Sequence, residues 1–244
     1  MKKMILTLFF ISLALSAAHA LSGREIMEKS DKLEKPKSSS STVLMVITQG
    51  GDTVEKEFEM ISKKRGNRDK VLVSFTRPSQ IKLLTHSEKG KEDNQWIRMS
   101  GGKMKMISSS EKDQSFVNSH LYYEDLTSRN IDDYDYKYVG DAKAVDADCY
   151  VVESVRKSGN RVYSKTVLYV RKADYFVVRV DIYMKGKFHK YLENRDIRKV
   201  SNILTPYTVT MTMADGSGKT VMTVKSLKYN MTLADSKFSK EAIR

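Results

Sequence analysis

Cysteine is almost absent from this sequence, which holds one in 244 residues, Cys149. A single thiol excludes an internal disulfide. Cys149 stands beside Tyr150, Val151 and Val152, in a run that is typical of a strand. We interpret it as a buried, inert thiol. A reactive thiol remains the alternative, although neither a histidine nor a second cysteine lies near it in the sequence.

Histidine is also scarce, and the four present are His19, His86, His120 and His189. Their spacing matches no metal motif such as H-E-x-x-H, so we expect surface or strand histidines. The nucleophile elbow G-x-S-x-G is missing as well. These absences predict a protein that is not an enzyme and that uses no metal and no cofactor.

Two segments come close to ligand-binding motifs but lack essential residues. The stretch "DGSGKT" at 215–220 lacks the first glycine of a phosphate loop, because Met213 stands five residues before Gly218. The acidic run at 132–135 lacks the glycine and the terminal glutamate of a calcium loop. We expect a hairpin turn at the first and a solvated loop at the second.

Long apolar runs are confined to the first 20 residues. Lys2 and Lys3 precede the apolar residues 4–15, and the small-x-small sequence at 18–20 is typical of a signal-peptide cleavage site. The run is too short for a comfortable membrane span. We therefore expect an exported protein that begins at Leu21. Because no cysteine follows the cleavage site, it should be soluble rather than lipid-anchored.

The mature chain, residues 21–244, is expected to form one domain. The whole chain has a formal net charge of +13, which the loss of the signal peptide lowers by two. A basic surface favours anionic partners, but nucleic acid is not expected for an exported protein. The densest basic run, at 63–68, indicates either a solvated hairpin end or attraction to anionic lipid headgroups.

One helix is predicted at the start of the mature chain. Ser22 and Glu25 form a capping-box pattern, and apolar residues at helical spacing predict a helix over residues 23–35. Pro36 and the serines at 38–41 should end it.

After the helix, apolar and polar residues alternate with a period of two, which predicts strands of an antiparallel sheet with one covered face. The expected strands are 42–49, 53–62, 70–77, 80–86, 95–99, 103–107, 149–157, 162–171, 175–184, 187–194, 203–213 and 219–229. A sheet of this size curls. The sequence therefore predicts a mainly β (α+β) fold, in which a curved antiparallel sheet is closed or partly closed around its apolar face and crossed by the N-terminal helix. The methionines are consistent either with ordinary core filling or with an adaptable apolar cavity wall.

Several residues, in this order, resemble the outer membrane lipoprotein-sorting family of periplasmic proteins similar to the carrier LolA. The pieces that carry the resemblance are Arg77-Pro78, Trp96, the step Ile107-Ser108-Ser109, Phe116, and Tyr123-Glu124-Asp125-Leu126. One departure is the polar segment "MSGGK" at 99–103, where family members usually have an apolar segment with proline. The resemblance implies that the curved antiparallel sheet forms an incomplete barrel closed by helices, and that its cavity takes the acyl chains of a lipoprotein. It also implies an arginine early in the sheet that steadies the closed lid, and Arg65 or Arg68 lies in the comparable region.

We expect the cavity to be lined from one side of consecutive strands. The stretch 111–126 should fold over the open mouth, with its acidic residues facing water. The expected lipid-binding residues are Leu44, Val46, Phe58, Met60, Val71, Val73, Phe75, Trp96, Met104, Met106, Phe116, Leu121 and Tyr122. Ile26 and Leu33 of the helix should add to the cover.

The sequence thus predicts a monomeric periplasmic carrier of lipoprotein or lipid acyl chains. An inner-membrane transporter and an outer-membrane acceptor are its expected partners. One alternative is a lipid-sensing or accessory subunit of an inner-membrane transporter with the same fold. Another is an interaction protein whose sheet is simply packed shut.

Overall fold

The computed structural model describes residues 21–159 and 162–244. The predicted signal peptide lies outside these residues. The chain begins with helix α1, Gly23–Asp31, and both halves of the capping box are present: the Glu25 amide donates to the Ser22 hydroxyl, and the Ser22 amide donates to the Glu25 carboxylate. The helix ends earlier than predicted. Beyond Asp31 only Leu33 is apolar before Pro36, so little is available to anchor another turn.

Thirteen strands follow in the described residues, and all pair antiparallel in one sheet. They are β1 Ser38–Gln49, β2 Asp52–Arg65, β3 Arg68–Arg77, β4 Lys82–Glu88, β5 Asn94–Arg98, β6 Met104–Met106, β7 Tyr134–Ala144, β8 Ala147–Arg156, β9 Lys165–Arg171, β10 Val177–Met184, β11 Lys187–Val200, β12 Ile203–Met213 and β13 Gly218–Tyr229. Their order across the sheet is β6-β5-β4-β3-β2-β1-β13-β12-β11-β10-β9-β8-β7. The sheet is curved and not closed, which confirms the predicted incomplete barrel.

Helix α1 covers the β7–β10 half of one face, which we call the inner face. Ile26 and Met27 pack there against Val152, Leu168 and Val170. The helix begins directly on the backbone of β7. A Cβ atom at Gly23 would lie 2.6 Å from the Tyr138 nitrogen, so a side chain at this position would push the helix off the sheet.

Residues 107–126 cover the β1–β5 half of the inner face, and we call them the covering segment. The segment contains two short 3-10 turns, Ser109–Glu111 and Tyr123–Leu126. Its apolar side chains pack with inner-face side chains in one cluster. Buried members of that cluster include Val43, Met45, Ile47, Phe58, Val73, Phe75, Leu83, Ile97, Phe116, Leu121, Tyr123, Ile182 and Met211. A segment with little regular structure thus closes this half of the barrel.

The outer face of β3–β5 is covered by the end of the chain. Leu233, Phe238 and Ile243 pack there against Leu84 and Trp96. No helix in the described ranges is long and apolar enough to cross a membrane.

Two parts of the sheet differ from the predicted strands. The serines at 38–41 were expected to lie outside the sheet, but they begin β1, where Ser38, Ser39 and Ser41 are buried. The run at 132–135 was expected to be a solvated loop. It leads instead into β7, whose half-buried residues are mainly tyrosines with charged residues between them.

Candidate functional site

Five of the predicted wall residues lie together on the inner face. Phe58, Val73 and Phe75 are buried, and Met60 and Val71 pack partly buried against the same cluster. Each comes from β2 or β3, where every second side chain points inward. These residues form a continuous apolar wall beneath the covering segment.

The covering segment contacts this wall through aromatic rings. The ring centroids of Phe58 and Phe75 are 5.1 Å apart, those of Phe75 and Phe116 are 5.7 Å apart, and those of Phe116 and Tyr123 are 5.8 Å apart. Leu121 is buried in the same cluster. The predicted covering residues Phe116 and Leu121 therefore point down onto the wall.

The predicted face was wrong for two residues of β1. Val43, Met45 and Ile47 are the inner residues of this strand, so Leu44 and Val46 lie on the outer face. The five residues form an uninterrupted apolar run. Alternation within such a run cannot show which set points inward.

Trp96, Met104 and Met106 also lie on the outer face rather than in the predicted wall. Trp96 packs under the end of the chain, and Met104 borders the same cluster. Met106 is opposite Trp96 in the β5–β6 register and is half exposed. The inner residue of β5 is Ile97.

A buried ion pair joins the covering segment to the sheet. The Lys190 side chain of β11 is 0% exposed, and its Nζ lies 2.6 Å from Oδ2 of Asp125. Asp125 Oδ1 accepts a hydrogen bond from the Tyr163 hydroxyl at 2.7 Å. The Lys190 ammonium also donates to the His120 carbonyl at 3.1 Å and lies 3.5 Å from the centroid of the Tyr122 ring. The expectation that the acidic residues of this stretch face water was therefore wrong for Asp125, and also for Glu124, whose side chain is 10% exposed and pairs with Arg156.

A β-bulge next to Lys190 turns Phe188 outward, while Lys190 shares the inner face with Leu192. Ile182 of β10 is opposite Lys190, whereas the next residue, Tyr183, is opposite Phe188, so His189 is the extra residue on β11. Without the bulge, Phe188 and Lys190 would share a face. With it, Phe188 is 41% exposed while Lys190 is buried, and Nε2 of His189 lies 2.8 Å from the Tyr122 hydroxyl.

A second contact between the covering segment and the sheet is made by His120. The His120 amide donates to the Thr220 hydroxyl at 3.0 Å, and Nδ1 of His120 lies 2.8 Å from the same oxygen. A Cβ atom at Gly218 would be 2.6 Å from Nε2 of His120. Glycine at the start of β13 is therefore what lets the His120 ring lie against the sheet.

Two polar side chains of the sheet donate to backbone carbonyls of the covering segment. Lys56 Nζ donates to the carbonyl of Val117 at 2.7 Å, and Nε2 of Gln95 donates to the carbonyl of Tyr123 at 3.1 Å. Such bonds satisfy the backbone of an irregular segment without a strand partner. The covering segment is thus attached by polar contacts around an apolar centre.

Burial shifts the pKa values of the groups in this network. It lowers the pKa of Lys190, and the nearby Asp125 carboxylate opposes that shift. It raises the pKa of the Tyr163 hydroxyl, and Asp125 adds to the rise. The pKa values of His120 and His189 are lowered, first by burial and then by the Lys190 charge. The site favours neutral imidazoles beside one paired ammonium.

Neither arginine suggested by the family resemblance touches the covering segment. Arg65 pairs with Asp235 and Arg68 pairs with Glu88, and both arginines are exposed. Other cations contact the closed segment: Arg156 of β8 lies 3.4 Å from the Glu124 carboxylate, and the buried Lys190 pairs with Asp125. The sequence context of Lys190, "FHKYLE", indicated only an ordinary strand lysine.

An open groove of about 640 Å³ lies beside the carboxyl end of α1. Its apolar lining includes Leu33, Phe176, Val177, Leu204 and Tyr229. Leu33 therefore borders the groove, whereas Ile26 is fully buried under the helix. The groove is within the size range of small-molecule sites in proteins. Within the described ranges, no group of three or more His, Cys, Asp and Glu residues has an arrangement that could hold a metal.

Comparisons with known proteins agree with this architecture. A DUF1329 family protein from Desulfovibrio piger has 28% identity and a TM-score of 0.86, covering 91% of this chain and 98% of that one. A domain named after outer membrane lipoprotein sorting, from Vibrio parahaemolyticus, has 25% identity and a TM-score of 0.86, covering 91% and 97%. The LolA superfamily protein NE2245 from Nitrosomonas europaea shares the fold at 19% identity, with a TM-score of 0.72 and coverage of 91% and 100%.

The comparison with curated proteins found no match. A family model described as "Uncharacterized protein" matches residues 67–244, which is well over half of the chain. The matched region contains the covering segment, Asp125 and Lys190. The chain therefore belongs to this family, and its fold is similar to that of solved proteins named for outer membrane lipoprotein sorting and for the LolA superfamily.

Proposed function

We propose that this protein is a periplasmic carrier that binds acyl chains of lipoproteins or lipids on the inner face and moves them toward the outer membrane. The observation that carries this proposal is the closure of the β1–β5 half of the barrel by residues 107–126. A second sheet would close that face permanently. A segment of short turns, attached by a few polar contacts, can leave it without breaking a strand ladder.

The energetics favour exchange between the covering segment and an acyl chain. Burial of a CH₂ group gains roughly 0.8 kcal/mol, so a chain of about 16 carbons gains on the order of 12 kcal/mol before opening costs. Four buried side chains of the covering segment, Ile107, Phe116, Val117 and Leu121, contribute roughly 1.5–3 kcal/mol each in the same place, or on the order of 6–12 kcal/mol together. The covering segment and an acyl chain therefore gain similar free energies by packing on the inner face. Such a balance is required of a carrier, because it must release its cargo as well as bind it.

The proposed ligand contacts are the inner-face residues. Phe58, Met60, Val71, Val73 and Phe75 would contact the chain once the covering segment lifts. Phe116 and Leu121 would leave the wall, and Tyr122 would leave its place over Lys190, at the same time. No step in this role needs a catalytic group, and the role implies an inner-membrane donor and an outer-membrane acceptor as partners.

Displacement of a fluorescent fatty acid from the mature protein tests the proposal. The parent should bind, and Phe58→Asp should lose binding because a buried carboxylate beside an acyl chain costs several kcal/mol. Glu59→Ala, on the exposed face of the same strand, is the matched control and should bind like the parent. Circular dichroism would establish that each variant is folded. Failure of the parent to bind any acyl chain would refute the carrier.

Export is part of the same proposal. Mass spectrometry of the protein purified from its own cells should find a mature chain that begins at Leu21 and carries no lipid. An acylated or uncleaved amino terminus would contradict it.

A further inference from the structure

The surroundings of the Lys190 ammonium come mainly from the covering segment. Its counter-ion Asp125, the His120 carbonyl and the Tyr122 ring all belong to residues 107–126. A further neighbour, the Tyr163 ring at 5.4 Å, lies just before β9 and stays with the sheet. When the covering segment leaves, the ammonium therefore loses its carboxylate, its carbonyl acceptor and its closest ring at the same moment.

What remains around Lys190 is mainly apolar, apart from Tyr163, whose hydroxyl loses its Asp125 acceptor at the same time. The neighbours of Lys190 in the register are Ile182 on β10 and Met213 on β12. Leu192 is the next inner residue of its own strand, and Met211 is fully buried beside it. An unpaired ammonium among such side chains is strongly disfavoured. Once an acyl chain covers this position in place of the segment, the ammonium is again removed from water and needs a new anion beside it.

We propose that the cargo is an anionic amphiphile whose carboxylate or phosphate replaces Asp125 on Lys190 while its acyl chain replaces Phe116 and Leu121 on the wall. This inference rests on the proposed carrier function and narrows its substrate class. The covering segment itself presents the same combination, an acidic group beside large apolar side chains. A neutral lipid would fill the wall but leave the ammonium unpaired.

The pKa of Lys190 supports this exchange. Burial already lowers it, and Asp125 opposes that shift. An anionic headgroup would keep the lysine charged in the loaded state just as Asp125 does in the closed state. The charge pattern of the inner face then changes little between the two states.

Three ligands with the same 16-carbon chain test the inference by calorimetry: palmitate, hexadecyl phosphate and hexadecanol. The mature protein should bind at least one of the two anions more tightly than the alcohol by about tenfold or more, which corresponds to about 1.4 kcal/mol. The comparison of the two anions identifies the preferred headgroup. Lys190→Met should bind all three alike.

Asp125→Asn provides an independent variant. It weakens the closed state but leaves Lys190 in place, so all three ligands should bind more tightly while the preference for anions is kept. If Lys190→Met does not fold, the double variant Lys190→Met/Asp125→Asn, which removes both charges, takes its place.

Results that would contradict the anionic cargo differ from those that would contradict the carrier function. Equal binding of alcohol and anions by the parent, or an anion preference that survives Lys190→Met, would overturn the anionic cargo and leave the carrier intact. If no chain binds to the parent, the carrier itself is refuted.

Discussion

Lys190 and Asp125 form a buried ion pair that connects the middle of the sheet to the segment covering its inner face, with Nζ and Oδ2 2.6 Å apart. The two residues come from distant parts of the chain, and the exposed fractions of their side chains are 0% and 7%. Their contact makes the closed state depend on one charge in each part.

Removing one partner of this ion pair should strongly destabilise the folded protein. We expect Asp125→Ala to lower the free energy of unfolding by about 3–5 kcal/mol, because it leaves an uncompensated buried charge. The double variant Asp125→Leu/Lys190→Met should recover much of that loss. Urea denaturation measures both. Asp31→Asn, in the exposed pair with Lys35, is the control and should change stability by less than about 1 kcal/mol.

Phe116 should anchor the covering segment. Phe116→Ala removes a ring that is 2% exposed and packs on Phe75 and Tyr123, so a loss of about 3–5 kcal/mol is expected in denaturant titrations. Met106→Ala, at a half-exposed position, should change stability by no more than about 0.5 kcal/mol. Equal effects of the two substitutions would contradict the assigned faces.

Neighbouring residues of β1 allow a direct test of which side chains point inward. Met45→Glu places a carboxylate in the inner cluster, where Met45 is 1% exposed, and should unfold the protein or abolish acyl binding. Val46→Glu places the same group on the outer face and should leave fold and binding intact. Circular dichroism with fatty-acid displacement distinguishes the two. The reverse result would restore the face predicted from the sequence.

The two histidines of the covered region predict a dependence on pH. Burial lowers the pKa of His120 and of His189 below 6.5, so below that pH the unfolded chain takes up protons that the folded chain does not. The free energy of unfolding should therefore fall as the pH drops below about 6.5. Lys190 reinforces this effect at both residues, while Asp215 opposes it at both and Asp125 opposes it at His189.

The variant His120→Gln/His189→Gln should have a flatter profile between about pH 5 and pH 7. A residual slope is expected from His86, whose pKa burial also lowers. An unchanged slope in the double variant would contradict the assignment of this effect to the covered region.

The sequence predicted the sheet well because most strands alternate cleanly, as on β2 and β3. It failed for β1, where both faces carry apolar residues, and for β7, where tyrosines take the half-buried positions. The sequence also did not predict that the end of the chain covers the outer face of the sheet. Trp96, which packs under that cover, was therefore assigned to the inner face.

The family resemblance, together with the apolar residues of the stretch 111–126, predicted a covering segment with Phe116 and Leu121 pointing inward. The buried position of Lys190 could not be predicted from the sequence pattern. Lys190 shares the inner face with Leu192, where a charged residue is not expected, and its burial is tolerable only because Asp125 meets it from a different part of the chain. A charge pair of this kind becomes visible only when the fold brings the two residues together.

Movement of the covering segment on loading is the most direct test of the proposed mechanism. Spin labels at two exposed positions, Asn118 of the covering segment and Glu59 on β2, would report their separation by pulsed electron resonance in a Cys149→Ala background. On saturation with palmitate or hexadecyl phosphate, the distance distribution should shift to longer values. A control pair at Glu59 and Lys228, both on the sheet, should not change. An unchanged Asn118–Glu59 distribution at saturating ligand would show that the inner face stays closed, and would contradict a carrier that exchanges its covering segment for cargo.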